Sequence, residues 1–309
     1  MEGIIFMNKI VVLGSINVDT ILNISHLPEP GETMHMHDRS TAGGGKGANQ
    51  ALAAVRAGAE TSFISKIGND HAADFMMKTF KDDGLNIDHV TFSKTEGTGK
   101  AYILLQDSGQ NSILVYGGAN ADVTPADVDE AKDSIKDADC IIAQFEVPNP
   151  AIIEAFKIAK DNDVVTFLNP APAQKEIPTE LLNLTEIIAP NETEAEIITG
   201  VPVTDDASMD KAAKKMHEMG VPTVLITVGD KGSYYSMESG KTGFVKAFKV
   251  KAVDTTAAGD TFVGALMAKL DHDRNNIEEA MTYANKSSSL TVQTKGAQNS
   301  IPYAKNVEI

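Results

Sequence analysis

Short, nearly continuous apolar runs alternate along the chain with longer stretches of helical apolar spacing. Residues 9–16 (KIVVLGSI) read as a strand buried on both faces, since a strand with one wet face would alternate apolar and polar. Similar runs at 62–67, 140–145, 164–168, 186–189 and 223–228 predict further strands. Helical spacing predicts helices over 72–82, 127–135, 151–160, 207–219 and 276–292, with Thr124 and Pro125 as N-cap and first helical position of the second. A turn at 229–232 (GDKG) leads into another strand, and Phe244, Val245, Phe248, Val250 and Val253 read as a strand running into Asp254. Strand–helix alternation implies an α/β fold: a doubly wound, mainly parallel sheet with helices on both faces. Three segments stand apart. Residues 33–39 alternate as a half-exposed strand, and 98–106 and 112–116 form a hairpin around DSGQN. They predict a small β-sheet lid, from about 17–41 and 97–118, inserted in one domain of 1–309.

Composition narrows the partners. The 309 residues carry 27 Lys and Arg against 43 Asp and Glu, a formal charge of −16. That repels a nucleic-acid backbone but leaves room for a local cationic pocket. Cys140 is the single cysteine, so no intrachain disulfide forms, and its run CIIAQF reads as core. No apolar run reaches the ~18 residues of a membrane span. The opening MEGIIFMNK has no basic n-region, so no secretory leader is read and the cytoplasm is expected; Met7 is an alternative start.

Two stretches carry chemistry. In 252–262 (AVDTTAAGDTF) a strand gives way to small residues and then to a helix with Asp260 in its first turn. Small side chains admit a ligand to the backbone, and free N–H groups at a helix start favour an anion such as phosphate. A carboxylate there is placed to take a proton from a hydroxyl attacking phosphorus. The same pattern also suits an acid that simply complements the helix dipole. In 43–50 (GGGKGANQ) glycines precede a helix whose first turn carries Lys46 and Asn49. This is no Walker loop, because no Ser or Thr follows the lysine. It fits a loose G-x-G-x-x-A, but without the buried first strand that a dinucleotide site requires. Polar residues gather where strands end: Asn17, Asp19, Glu146, Asn169, Asn191, Glu194 and Thr227. Open parallel sheets bind ligands at that edge, and the lid would exclude water from a phosphoryl transfer.

GGGKGAN, NETE and DTTAAGDTF, in that order and after an opening GSINVD, resemble the ribokinase-type (PfkB) carbohydrate kinases. The resemblance runs from about 9 to 302. With LNPAPA and KGAQ it is greatest to the members that phosphorylate ribose. The resemblance implies ATP-dependent phosphorylation of D-ribose at its 5-hydroxyl. It makes Asp260 the base and Ala257, Ala258 and Gly259 the anion hole. It assigns Asn17, Asp19, Gly45, Lys46, Asn49 and Glu146 to the sugar, with Asn191, Thr227, Gly229, Gly232, Gly259 and Asn285 at ATP. Glu194 falls in the magnesium region. The family glycine at 257 is alanine here. Asp254 has no partner in the local sequence, and KGAQNS offers carbonyls and a hydroxyl; the resemblance makes these a potassium site of Asp254, Ser300 and the carbonyls of Thr256, Thr291, Thr294 and Gly296. It also implies a homodimer through the lid strands.

Other readings remain at this level. A related kinase for 2-deoxyribose, another small sugar or a nucleoside would share these motifs. A sugar phosphate would want more cations than Arg39 and Lys100. A dehydrogenase would rest on Gly43, Gly45 and Ala48 alone, and a non-catalytic sugar binder would need no base.

Overall fold

The computed structural model describes residues 8–309; the leader reading and the alternative start at Met7 fall outside the described residues. In chain order the strands are β1 (Lys9–Leu13), β2 (Asn17–Ile24), β3 (Asp38–Gly44), β4 (Glu60–Ile67), β5 (Val90–Phe92), β6 (Gly99–Gln106), β7 (Asn111–Tyr116), β8 (Cys140–Gln144), β9 (Val165–Asn169), β10 (Ile187–Ile188), β11 (Thr223–Thr227), β12 (Gly232–Met237) and β13 (Thr242–Lys246). The helices are α1 (Lys46–Arg56), α2 (His71–Asp82), α3 (Pro125–Glu130), α4 (Lys132–Lys136), α5 (Asn149–Lys160), α6 (Thr179–Leu184), α7 (Glu192–Thr199), α8 (Asp206–Glu218), α9 (Ala258–Met267) and α10 (Ile277–Thr291).

The apolar runs become a sheet in the order β13-β12-β11-β10-β9-β8-β1-β4-β5. It is parallel from β11 to β5, and β12 and β13 add antiparallel to its end. β1 explains why the runs are continuous. Ile10 and Val12 point into the core under α1, α2, α9 and α10, while Val11 and Leu13 point into the core under α3, α5 and α8. The expected doubly wound α/β architecture is therefore present. Cys140 is buried beside β1, and burial pushes its thiol up, so it stays protonated as a core residue. Among the described residues no helix is long and apolar enough to cross a membrane.

A second sheet, ordered β3-β2-β6-β7, stands apart. Its composition corrects the expected one. The strand read at 33–39 begins only at Asp38 and runs on through Gly43 and Gly44. These glycines pair with Val18 and Asn17, where a Cβ on Gly44 would lie 2.6 Å from the Asp19 carboxyl carbon. Asn17 and Asp19 do not end the first strand; they begin β2, in the other sheet. The strand read from 244 to 253 stops at Lys246, and an irregular segment carries the chain to Asp254. The helix read over 127–135 is α3 and α4, broken at Ala131.

Candidate active site

The fold's reversal point lies at β1, with β4 on one side and β8 on the other, and the crevice there is where such sheets bind ligands. Two helices converge on it. The start of α1 lies against the turn after β1: a Cβ on Gly47 would come 2.6 Å from Gly14 Cα, and Ala48 N–H donates to the Ser15 carbonyl at 2.9 Å. α9 packs on α1 through small residues; a Cβ on Gly264 would meet Ala53 Cβ at 2.6 Å. That close approach brings the first turn of α9 against the first turn of α1.

Asp260 is 7% exposed at this junction. Asn49 Nδ2 donates to its Oδ2 at 2.9 Å, and Gln50 Nε2 donates to its Oδ1 at 3.0 Å. Ala257 turns the chain into α9 with φ 61, an αL conformation that costs a non-glycine residue ~1 kcal/mol. Ala258 N–H is taken by the Thr255 carbonyl at 3.2 Å. The N–H groups of Gly259 and Asp260 have no acceptor one turn back, as at any helix start. A Cβ on Gly259 would meet nothing within 4 Å, so the face of this turn is open.

Charges surround that opening. Burial alone would push the Lys46 ammonium down, but Asp260, Glu146 and Glu194 outweigh it and hold the ammonium above its ordinary value. Glu146 accepts from the Ser15 hydroxyl and, at 3.0 Å, from Lys46 N–H. Burial first, and then Glu146, raises the Asp19 carboxyl to about 6. Burial and the Asp260 charge push Glu194 up, against the Asn191 N–H and Lys46. Asn17 is buried and accepts from Asn120 Nδ2 at 2.8 Å. Gly45 holds φ 90, and a Cβ there would come 2.7 Å from Asn17 N; the glycine serves backbone approach between β2 and α1.

Of the residues read as nucleotide contacts, Asn191 and Glu194 form a reciprocal cap on α7, and Asn191 pairs with Thr227 at the sheet edge. Gly229 is exposed in the turn beyond. Gly232 is pressed against β13, where a Cβ would come 2.8 Å from Ala247 N. Asn285 Nδ2 donates to Ser233 Oγ at 3.1 Å and to the Val245 carbonyl at 3.0 Å, tying α10 to β12 and β13. Among the described residues no hydrogen bond joins this pair to the Asp260 cluster.

Asp254, read as lacking a partner in the local sequence, accepts three hydrogen bonds from two residues. Its Oδ1 accepts from Thr256 N–H at 2.9 Å and Thr256 Oγ1 at 2.6 Å, and its Oδ2 accepts from Gly296 N–H at 2.9 Å. Burial pulls its carboxyl up, but these bonds outweigh it and hold the group below its ordinary value. Val292 O accepts from both Val253 and Asp254 N–H, so 253–256 and 291–300 lie side by side. Thr294 N–H donates to the Thr291 carbonyl, and Ser300 Oγ donates to the Ala297 carbonyl at 2.6 Å.

Gln50, Gln144, Asn120 and Gln298 are site neighbours the sequence reading passed over. Buried amides have no motif of their own; Gln50 directly follows Asn49 in GANQ, which is the one signal that pointed to it.

The family profile described as pfkB family carbohydrate kinase matches residues 7–304. The ribokinase of Staphylococcus aureus is 50% identical over 301 residues, covering 97% of this chain and 98% of its own. A bifunctional ribokinase/ribose-5-phosphate isomerase A of Fructilactobacillus sanfranciscensis is 55% identical over 297 residues, 96% of this chain, which spans 55% of that relative's length. The structure of Arabidopsis thaliana ribokinase complexed with ribose and ATP superposes with a TM-score of 0.91 at 34% identity, covering 98% of each chain.

Proposed function

The chain belongs to the pfkB family of carbohydrate kinases, and from that premise we propose that it transfers the γ-phosphoryl group of ATP to the 5-hydroxyl of D-ribose. The observation that carries the chemistry is Asp260: a buried carboxylate at a helix start, held on both oxygens by amides, with the Lys46 ammonium among carboxylates beside it. Asp260 takes the hydroxyl proton as the sugar oxygen attacks phosphorus. The new O–P bond forms, the bond to the bridging oxygen breaks, and ADP leaves. In the expected anion hole of Ala257, Ala258 and Gly259, the Gly259 N–H is free to receive the charge that develops on the migrating group, and Ala258 N–H would leave the Thr255 carbonyl to join it. The vicinal hydroxyls of ribose go to Asn17 and Asp19, with Gly45, Lys46, Asn49 and Glu146 completing the sugar site. A site that hydrogen-bonds a hydroxyl discriminates against 2-deoxyribose, which lacks it.

The nucleotide lies along Asn191, Thr227, Gly229, Gly232 and Asn285. Among the described residues no group of three or more acidic, His or Cys side chains forms a metal cage. The single Glu194 carboxylate suits magnesium that arrives with ATP, since that ion is held by one or two carboxylates plus phosphates. It would neutralise phosphate charge. Asp254, Ser300 and the carbonyls of Thr256, Thr291, Thr294 and Gly296 would hold a hard monovalent cation such as potassium, an all-oxygen ligand set, in place of the N–H groups of Thr256 and Gly296 from which the Asp254 carboxylate accepts here. The β3-β2-β6-β7 sheet is the lid. Its edge strand β7 exposes Ile113 at 53%, Leu114 at 62% and Val115 at 62%, which supports pairing with a second copy in a homodimer. ATP as donor supports a cytoplasmic protein. The test is coupled ADP release with ribose, 2-deoxyribose, fructose, adenosine and fructose 6-phosphate. Turnover greatest with ribose is expected; equal or greater turnover with another acceptor moves the substrate assignment to it.

A further inference from the structure

The base does not stand alone in the interior. Gln50 is fully buried on α1 and spends all its polar atoms. One amide hydrogen goes to Asp260 Oδ1 and the other to Asn169 Oδ1, both at 3.0 Å, and its Oε1 accepts from Gln144 Nε2 at 2.7 Å. Asn169 Nδ2 donates in turn to the Ala189 carbonyl at 3.1 Å. The two ends fix the polarity. An ionised carboxylate only accepts and a backbone carbonyl only accepts, so Gln50 must present its NH₂ to Asp260 and Asn169 its oxygen to Gln50. Gln144 must then give Gln50 its NH₂, which leaves Gln144 Oε1 buried without a partner. An unpaired buried oxygen costs stability, and what the arrangement secures in exchange is the orientation of Gln50.

We infer that Gln50 is a positioning residue for phosphoryl transfer: it occupies Asp260 Oδ1 from inside, fixes the plane of the carboxylate, and reserves Oδ2 as the oxygen that takes the sugar proton. An amide NH₂ cannot accept a hydrogen bond, so a proton on Oδ1 would face a donor. Oδ2 also faces a donor, Asn49 Nδ2, but Asn49 Oδ1 has no partner, so that amide is free to turn its oxygen to a protonated Oδ2, whereas Gln50 is locked by Asn169 and Gln144. The other charged groups that bear on Asp260 are Lys46 from α1 and Glu194 from α7, with Glu146 acting on Lys46. Gln50 touches none of the reactants in this role. The inference rests on Asp260 being the base.

The test is Gln50→Met, close in volume, beside Gln50→Glu, Gln144→Met and Asp260→Asn, each with kcat, both KM values, the melting temperature and the pH dependence of kcat. For Gln50→Met we expect kcat to fall by about 10–100-fold, with KM for ribose and ATP within about threefold of wild type, because a mis-set base costs rate rather than binding. The acid limb of kcat should move to higher pH by roughly half to one unit, since a carboxylate that loses a donor becomes more basic. Gln50→Glu should move it further, because two facing carboxyls share one proton. Gln144→Met, which never touches Asp260, should show the same changes at smaller size and carries the test if Gln50→Met does not fold. Folded variants with unchanged kcat and an unmoved limb overturn the inference. So does a loss in which kcat, KM and melting temperature fall together while the limb stays put, the mark of loosened packing between α1 and α9. Asp260→Asn separates the premises: activity retained there removes the base assignment, whereas an inactive Asp260→Asn beside a normal Gln50→Met removes only the role of Gln50.

Discussion

Asp19→Asn should make the protein more stable and less able to bind its sugar. Burial, and then the Glu146 charge, raises the Asp19 carboxyl from the ordinary 3.8 to about 6. The folded state therefore binds a proton more tightly than the unfolded chain. The stability this group contributes is full below pH ~4 and is lost as pH rises through ~6. Fully ionised, at neutral pH, it costs at most about 3 kcal/mol. Asp19 is half-buried, and solvent screening brings the figure to roughly 1–2 kcal/mol. Asparagine keeps the shape and removes the charge. The melting temperature at pH 8 should rise by about 2–4 °C, with the gain shrinking at pH 5, where wild-type Asp19 is largely protonated. Ribose affinity should fall by about 10²-fold, since hydrogen bonds to an ionised acceptor contribute ~1.5–3 kcal/mol each. Scanning fluorimetry at the two pH values and titration calorimetry with ribose measure both. A mutant no more stable than wild type at pH 8 refutes the electrostatic reasoning; unchanged ribose affinity removes Asp19 from the sugar site. The same reasoning predicts that wild-type KM for ribose climbs as pH drops below about 6.

Asp260→Asn should cut kcat by about 10²–10⁴-fold while calorimetry still detects ATP and ribose; retention of more than roughly a tenth of kcat would place the base elsewhere. Gly259→Ala should fold as well as wild type or slightly better, because a Cβ there meets nothing within 4 Å and alanine is the better helix former. Its methyl stands on the open face of the anion site, so kcat should drop; normal kcat would mean the phosphoryl group passes elsewhere. Gly45→Val should lose ribose binding and several degrees of melting temperature together, through the positive φ and the collision with Asn17 N; a stable mutant with normal KM would contradict this. Turnover should be higher in potassium than in a large organic cation at equal ionic strength, and Asp254→Ala should abolish that difference. An undiminished potassium effect in the mutant excludes the Asp254 site.

What the amino-acid sequence determined by itself is the architecture of the main sheet and the identity of its chemical groups. Strands buried on both faces leave continuous apolar runs, and helices leave their own spacing, because each is set by local geometry. The glycines and alanines around Lys46 and Asp260 were legible for the same reason, since a close backbone approach admits few residue types. The small second sheet was only partly legible: β2 and β3 are two-sided and partly polar, so the pattern placed their boundaries several residues off. Tertiary structure alone decided the rest. Gly232 and Asn285 are shaped by contacts with β13 and β12 that no local pattern announces. Asp254 takes two of its hydrogen bonds from Thr256, two residues on, and only the third needed the chain to return at Gly296. Gln50 was one polar residue in a helix until α9 arrived with Asp260, β9 with Asn169 and β8 with Gln144. A buried hydrogen bond is made by partners distant along the chain, and it can be read only once packing has brought them within reach.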